Sequence, residues 1–340
     1  MKLIVLLSCL LLLSTTTLGC SPSKIIESSA KPAESVHRSS LTTTDVNSTT
    51  TSTNSEIHFI DSKGQEVVLK QKPQRVILLN TEIQELYYQL GGKAVGLATA
   101  PGIPMPEAGK DAAKVGQINQ VSMEQIMNLK PDLVIGQSFF HASLKESFDA
   151  SKIPVALIDI KSYEDIRKTA EFIGQLMGKE AETKAALTQT DQKMQRIIEK
   201  LPAENPKYAM ITIMPMGISV QKNSTISLDA ANRLKLKNVA DSMASGMMPS
   251  SAPYSLEKLV ELDPDYVFFI VHGTEEYGKE KLNSEIANNP AWRTLRAVKE
   301  NKIYFLPSQL FVANPGLNFD QSLSYLASLV YPDVVGNVQK

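Results

Sequence analysis

Two of the four histidines in this chain stand where chemistry could be done, His141 in GQSFFHAS and His272 in VHGTEEYG. Both follow short apolar runs, DLVIG and DYVFFIV. Phe139, Phe140, Met214, Met216, Tyr277 and Phe311 also fall just past apolar runs of this kind. Imidazole, thioether and phenol are side chains that ligate iron, and Phe with Met makes a soft apolar lining. A histidine in a loop also serves as a cap or a solvated residue, and paired methionines also serve as packing. Residue type alone leaves both readings open.

The elements that must position these residues contain one phrase twice. SMEQIMNLKPDLVIG begins at Ser122 and SLEKLVELDPDYVFF at Ser255, 133 positions later (255 − 122). They agree without a gap at Ser, Glu, a branched aliphatic, Leu, Pro, Asp and Val. Such self-similarity marks duplicated architecture, and two copies fit two similar lobes. Within the unit, Ser122 reads as an N-cap, Ile126 and Leu129 as inward positions, and Pro131 as the stop before a strand. His141 lies 17 positions past Glu124 (141 − 124) and His272 lies 15 past Glu257 (272 − 257). Lobe symmetry would put the two on opposite walls of one cleft.

Around these units the chain alternates. EIHFIDSKGQEVVL reads as a hairpin, RVILLN as a buried strand, and TEIQELYYQLGG as a helix capped by Thr81 and stopped at Gly91 and Gly92. AVGLAT and PVALIDI are further strands. From Tyr163 to Leu201 helix formers dominate, with Gly174 and Gly178 near the middle. The later part, KEAETKAALTQTDQKMQRIIEKL, would make about 34 Å of helix, enough to bridge two lobes as a stiff strut. After Pro202 and Pro206 come YAMITIMP and DYVFFIV as strands, with LDAANRLKLKNVA, SLEKLVELD and DQSLSYLASLVYP as helices.

Strands alternating with helices imply parallel sheets. The expected fold is α/β: two lobes, each a mostly parallel sheet flanked by helices, joined by one long rigid interdomain helix. The expected boundaries are 56–160 for the first lobe, 161–201 for the helical segment and 202–334 for the second lobe. Ligands of such sheets lie beyond the carboxyl ends of the strands. That places Asn80, Thr81 and Thr99 to Met105 in the cleft beside the residues above. Trp292 reads as core.

The first twenty residues, MKLIVLLSCLLLLSTTTLGC, hold an apolar run too short to span a bilayer. Residues 1–19 read as a signal peptide, and Leu-Gly-Cys resembles the bacterial lipobox, with Cys20 as the lipidated residue. Thr17 stands where an aliphatic residue is usual. Residues 20–55, rich in Ser and Thr, read as a disordered tether, and His37 within it is discounted. Cys9 leaves with the signal, so a disulfide or Cys-based metal site is excluded. A net charge of −1 without a basic block makes nucleic acid an unsuitable partner. No G-x-S-x-G, H-E-x-x-H or G-x-G-x-x-G occurs, and GQLMGKE is one residue short of a P-loop, so no enzyme is expected.

From Ile57 to Asp333 the sequence resembles the exported lipoproteins that feed ABC importers for ferric siderophores, haem and cobalamin. DSKGQEVVLKQKPQRVILLN, the repeated unit and NPAWRTLRAVKENKIYFLP carry the resemblance. It implies that Glu124 and Glu257 dock onto an ABC permease dimer with its ATPase, although a first-turn Glu also favours the helix dipole. It further implies a monomer with modest lobe motion, on the outer face of the cell membrane, with no intrinsic cofactor and an iron chelate as cargo. Haem suits the cleft residues best, with His272 ahead of His141 as an axial ligand. Lys110, Lys114, Lys161, Lys222 and Arg233 are candidates to meet its propionates. Ferric siderophores and cobalamin are the alternatives. Anionic catecholates call for clustered Arg, which is scarce here. A ligand sensor uncoupled from transport is the remaining reading.

Overall fold

The computed structural model describes residues 56–246 and 249–335. The segments read as signal peptide and tether, with Cys20 and His37, lie outside these. The first lobe opens with an antiparallel hairpin, β1 (Ile57–Ile60) and β2 (Glu66–Leu69). Its main sheet contains β3 (Val76–Leu78), β4 (Ala94–Thr99), β5 (Ala113–Gln117), β6 (Gln120–Val121), β7 (Leu133–Gly136) and β8 (Val155–Leu157). The order is β6-β5-β4-β3-β7-β8, parallel throughout except for β6. Between strands run α1 (Gln84–Gln89), α2 (Met123–Asn128), α3 (Ser138–His141) and α4 (Lys145–Ala150). β3, β7 and β8 are wholly buried, as continuous apolar runs in a parallel sheet must be.

The second lobe is built on β9 (Lys207–Met214), which is flanked by β10 (Gly217–Gln221) and, across a parallel register, by β13 (Tyr266–Val271). Its strand order is β12-β10-β9-β13-β14, with β12 (Ser251–Pro253) and β14 (Ile303–Phe305) at the edges and β11 (Lys237–Asn238) beside β9. β10 and β12 pair antiparallel, so this sheet is mixed. Helices α7 (Ile226–Arg233), α8 (Leu256–Leu262), α9 (Glu275–Lys281), α10 (Arg296–Lys299), α11 (Ser308–Phe311) and α12 (Phe319–Val330) cover it. Trp292 is buried against Phe269, with ring centroids 6.3 Å apart.

The helical segment between the lobes holds α5 (Tyr163–Met177) and α6 (Glu180–Ile198), and α6 occupies most of the strut expected over 179–201. Gly178 separates them with φ 65°, the left-handed conformation that ends helices and that glycine adopts without a Cβ penalty. α6, about 28 Å long at the standard rise, packs on α5 on one side and on α12 on the other. Tyr163 joins the three. Its hydroxyl donates to Asp191 on α6 at 3.0 Å, and its ring stacks on Phe319 of α12 with centroids 5.3 Å apart. One cluster of buried apolar side chains runs from β1 and β3 through α5 and α6 to β9 and α12. The lobes therefore share a core, which opposes wide opening.

Both repeated units form a helix followed by a strand, α2 to β7 and α8 to β13. Ser122 caps the first by accepting from Gln125 N, and Ser255 caps the second by accepting from Lys258 N. Such caps are each worth about 1 kcal/mol.

Candidate functional site

In the first lobe β3 lies between β4 and β7, so the crevice at its topological switch point opens between the ends of β3 and β7. Asn80, not Thr81, caps the turn after β3. Its Oδ1 accepts from Glu82 N at 2.8 Å while its Nδ2 donates to Ile158 O at 2.6 Å. That bond pair aims Glu82 across the crevice. Glu82 Oε1 accepts from Gln137 Nε2 at 2.9 Å, just past β7, and its Oε2 accepts from Ile160 N at 3.4 Å, just past β8. Asp159 beside it accepts from Ser138 N at 2.9 Å. Burial pushes the Glu82 carboxyl up to about 8; the Ile160 amide opposes the shift and the Asp159 charge adds to it. Glu82 is thus largely a neutral acid at pH 7.

The second lobe repeats this geometry with other chemistry. The crevice between β9 and β13 is bridged by Tyr277, whose hydroxyl donates to Met214 O at 3.3 Å. Thr274 caps α9 by accepting from Tyr277 N, which sets that tyrosine on the first turn. His272 follows β13 directly and is exposed, and among the described residues no hydrogen bond holds its ring. Protein crowding around the ring disfavours the charged imidazolium and lowers its pKa. A neutral imidazole with a free lone pair is the form that ligates metals. Met216, at the tip of the β9–β10 hairpin, is 81% exposed.

The lobes meet beside these residues. Gly102 (φ 74°) lies so close to Gly273 that a Cβ on it would stand 1.8 Å from the Gly273 carbonyl oxygen. Ser308 Oγ donates to Gly102 O at 2.8 Å, and Asn314 Nδ2 donates to Glu82 O at 2.6 Å. A recess of about 280 Å³ runs along this seam, with Thr81 and Met105 from one lobe and Leu310 and Asn314 from the other.

Several expected cleft residues fall elsewhere. His141 is 1% exposed, and its Nδ1 accepts from Gln137 N at 2.9 Å. Burial keeps its pKa low. The cause is local: in a single helical turn residues two apart point about 200° from each other, so an outward Phe139 turns His141 inward. Phe139 is 72% exposed and Phe140, half-buried, meets its ring edge-on at 4.9 Å. Phe311 is 2% exposed and packs on Tyr325 in the core, so it lines no cleft. Lys222 is held by Met243 O, Lys110 by Glu107, and Arg233 by Asp229 and the Tyr163 ring. Lys161 sits 4.0 Å from Asp159, and Lys114 is exposed on β5. Glu124 and Glu257 are exposed in the first turns of α2 and α8, and neither forms an ion pair among the described residues. Glu82, Gln137 and Asp159 were not foreseen, although Glu82 directly follows Thr81 in the chain.

A family profile described as periplasmic binding protein matches residues 76–310, from β3 into α11. The chain belongs to the periplasmic binding protein family. Among relatives of this binding protein, the uncharacterized ABC transporter substrate-binding lipoprotein YvrC of Bacillus subtilis is 26% identical, over 80% of this chain and 85% of its own. Among solved structures, IsdE of Staphylococcus aureus complexed with haem superposes with a TM-score of 0.64 at 19% identity, covering 76% of this chain and 98% of that one. SirA of Staphylococcus aureus complexed with staphyloferrin B does so with 0.65 at 21%, covering 80% and 98%. At such identities the likeness is one of fold.

Among the described residues of this periplasmic binding protein, no helix is long and apolar enough to cross a membrane. No group of three or more His, Cys, Asp or Glu among them could hold a bare metal ion.

Proposed function

We propose that this periplasmic binding protein is not an enzyme but captures an iron chelate, haem first among them, between its lobes and delivers it to an ABC permease. The observation that carries the reading is His272: an exposed, neutral and unpartnered imidazole at the switch point of the second lobe. Phe139 and Met216 support it. Of the four large apolar side chains exposed among the described residues, these two stand past strand ends, one from each lobe. Apolar surface left open past the strand ends suits a flat, greasy metal complex. A polyanionic siderophore is less suited, because most nearby cations are already engaged by protein groups. IsdE, complexed with haem, lends the reading support through its fold.

In this reading the protein works outside the cytoplasm, held to the membrane through Cys20, and Glu124 and Glu257 present one free carboxylate per lobe to the permease dimer. His141, closed off beneath Phe139, is a structural residue.

The test is a haemin titration followed at the Soret band in wild type, His272→Ala and His141→Ala. The expected result is a saturable shift that His272→Ala alone abolishes or moves. A shift unchanged in His272→Ala would assign the iron to Tyr277 or a methionine, and no saturable shift would replace haem by a siderophore or cobalamin.

A further inference from the structure

The Glu82 carboxyl spans the first lobe's switch-point crevice, yet only neutral groups hold it, the Gln137 amide at 2.9 Å and the Ile160 N–H at 3.4 Å. Among the described residues no cation forms an ion pair with it, although the Lys161 charge acts on it from a distance and favours its ionised form. From the segment after β8 come Asp159 and Lys161, and the lysine ammonium is the one 4.0 Å from Asp159. From the end of β7 and α3 come Gln137, which caps α3, and the neutral His141. From the second lobe comes the uncharged Asn314.

A second feature lies in the same segment. Gln137 Oε1 and Ser138 Oγ are buried without a hydrogen-bond partner. Two of the seven such atoms among the described residues thus belong to adjacent residues at the crevice. Buried polar groups are nearly always satisfied, so this concentration marks a place that is completed by something else.

The Gln137 amide can pair with Glu82 in two ways. When Glu82 is ionised, Gln137 donates its N–H and its oxygen is left over as an acceptor. When Glu82 carries a proton, the O–H can donate to the turned amide, which leaves N–H donors over. The first state adds a second negative charge beside Asp159, and the second is neutral and offers donors to an oxyanion.

We propose that the Glu82–Gln137 pair reads the charge of the ligand: a carboxylate-bearing iron chelate, such as haem with its propionates, is bound with a proton on Glu82, so capture takes up a proton. This rests on the iron-chelate reading above. Asp159 keeps the wall hostile to anions whenever Glu82 is ionised, which gives the pair its selectivity.

The experiment uses purified full-length protein, wild type and Glu82→Gln, titrated with haemin, with ferric citrate and with a ferric trihydroxamate that carries a free ammonium, at pH 7, 8 and 9. Above the pKa of Glu82, obligatory protonation weakens binding about tenfold per pH unit. The expected result is that the wild-type Kd for haemin, divided by that of Glu82→Gln, rises about fivefold from pH 8 to 9, since pH 8 lies at the Glu82 pKa itself. The division removes the titration of haemin itself and of His272. The ammonium-bearing chelate should show no such rise. Calorimetry in two buffers of different ionisation enthalpy, at pH 8.5, should report uptake of about three-quarters of a proton more per haemin in wild type than in Glu82→Gln. Haemin bound with the same pH dependence and the same proton uptake in both proteins would overturn the charge reading and leave haem standing. Ferric citrate bound with the expected pH dependence, with haemin not bound at all, would remove haem and keep the charge reading. No binding of any of the three would overturn both.

Discussion

Asp132 and Asp265, 133 positions apart (265 − 132), make the same clamp in the two lobes. The Asp132 carboxylate accepts from Gln74 N at 2.7 Å and Arg75 N at 2.8 Å, and its own amide donates to Arg75 O at 3.0 Å. The Asp265 carboxylate accepts from Lys207 N at 2.8 Å, and its amide donates to Lys207 O at 2.8 Å. Each clamp ties the entry of β7 or β13 to the entry of the neighbouring central strand, β3 or β9. The preceding Lys130 (φ 46°) and Asp263 (φ 42°) both take the left-handed conformation that lets the chain leave its helix and turn into the strand. The Pro-Asp of the repeat is therefore architectural, at the strand ends remote from the ligand.

Replacing either clamp should cost stability without touching the cleft. Asp132→Ala and Asp265→Ala each strand backbone donors that had a charged acceptor, a loss of about 1.5–3 kcal/mol. Denaturant unfolding should show that loss, and the haemin Kd should stay within a factor of two of wild type. A tenfold change in Kd would mean that strand register, and not only stability, depends on the clamp.

Gly102 should tolerate no side chain. Gly102→Ala incurs backbone strain of about 1–3 kcal/mol from its positive φ, and its Cβ also meets the Gly273 carbonyl, which must move with the second lobe's His272 loop. Gly64→Ala is the control, because Gly64 has φ 75° and nothing within 4 Å of a built Cβ. Gly102→Ala should therefore be the more destabilised of the two and should alone weaken haemin binding. Equal losses and equal Kd values would show that the glycine contact does not hold the seam.

These contrasts also explain what could be read from the sequence. The repeated unit gave away both lobes because its Ser, Pro and Asp do backbone work that any chain entering a strand from a helix must do. Strand ends could be located, so the exposed positions of His272 past β13 and Met216 past β9 were legible. His141 misled because a loop after a strand can itself wind into one helical turn, and a single turn decides which of two adjacent candidates faces inward. The strut read from residues 179–201 is α6, because Gly178, which interrupts the run of helix formers, ends α5 just before it. Glu82 was passed over because a carboxylate after a strand looks solvated in sequence; only the folded sheet shows it reaching across to Gln137.

The carboxylates of Glu124 and Glu257 provide a test of delivery separate from capture. Both are exposed and free of ion pairs among the described residues, so charge reversal at both should leave the haemin Kd unchanged and cost stability only through the helix dipole, about 0.3–1 kcal/mol at each site. Uptake of the iron chelate by cells should fall to background in the double Lys variant and only partly in each single one. Uptake at the wild-type rate in the double variant would remove these residues from permease docking.

The pH dependence of stability should carry the signature of Glu82 with a sign opposite to that of most carboxylates. Its folded pKa of about 8 lies above the ordinary 4.5, so between these values the folded protein holds a proton that the unfolded chain has released. Stability from this group is fully present below about pH 4.5 and is lost as pH rises through 8, a total on the order of a few kcal/mol. Glu82→Gln keeps a neutral amide in place and should abolish that loss, so the variant gains on wild type steadily from pH 5 to 8 and levels off beyond. The buried, neutral His141 acts in the other direction: its lowered pKa costs stability as pH falls below 6.5, and that acid limb should be the same in both proteins. Denaturant midpoints at half-unit steps from pH 5 to 9 would measure both limbs at once. Parallel curves for wild type and Glu82→Gln would mean that the carboxyl is ionised at neutral pH, and the crevice at β3 and β7 would then carry a fixed negative charge.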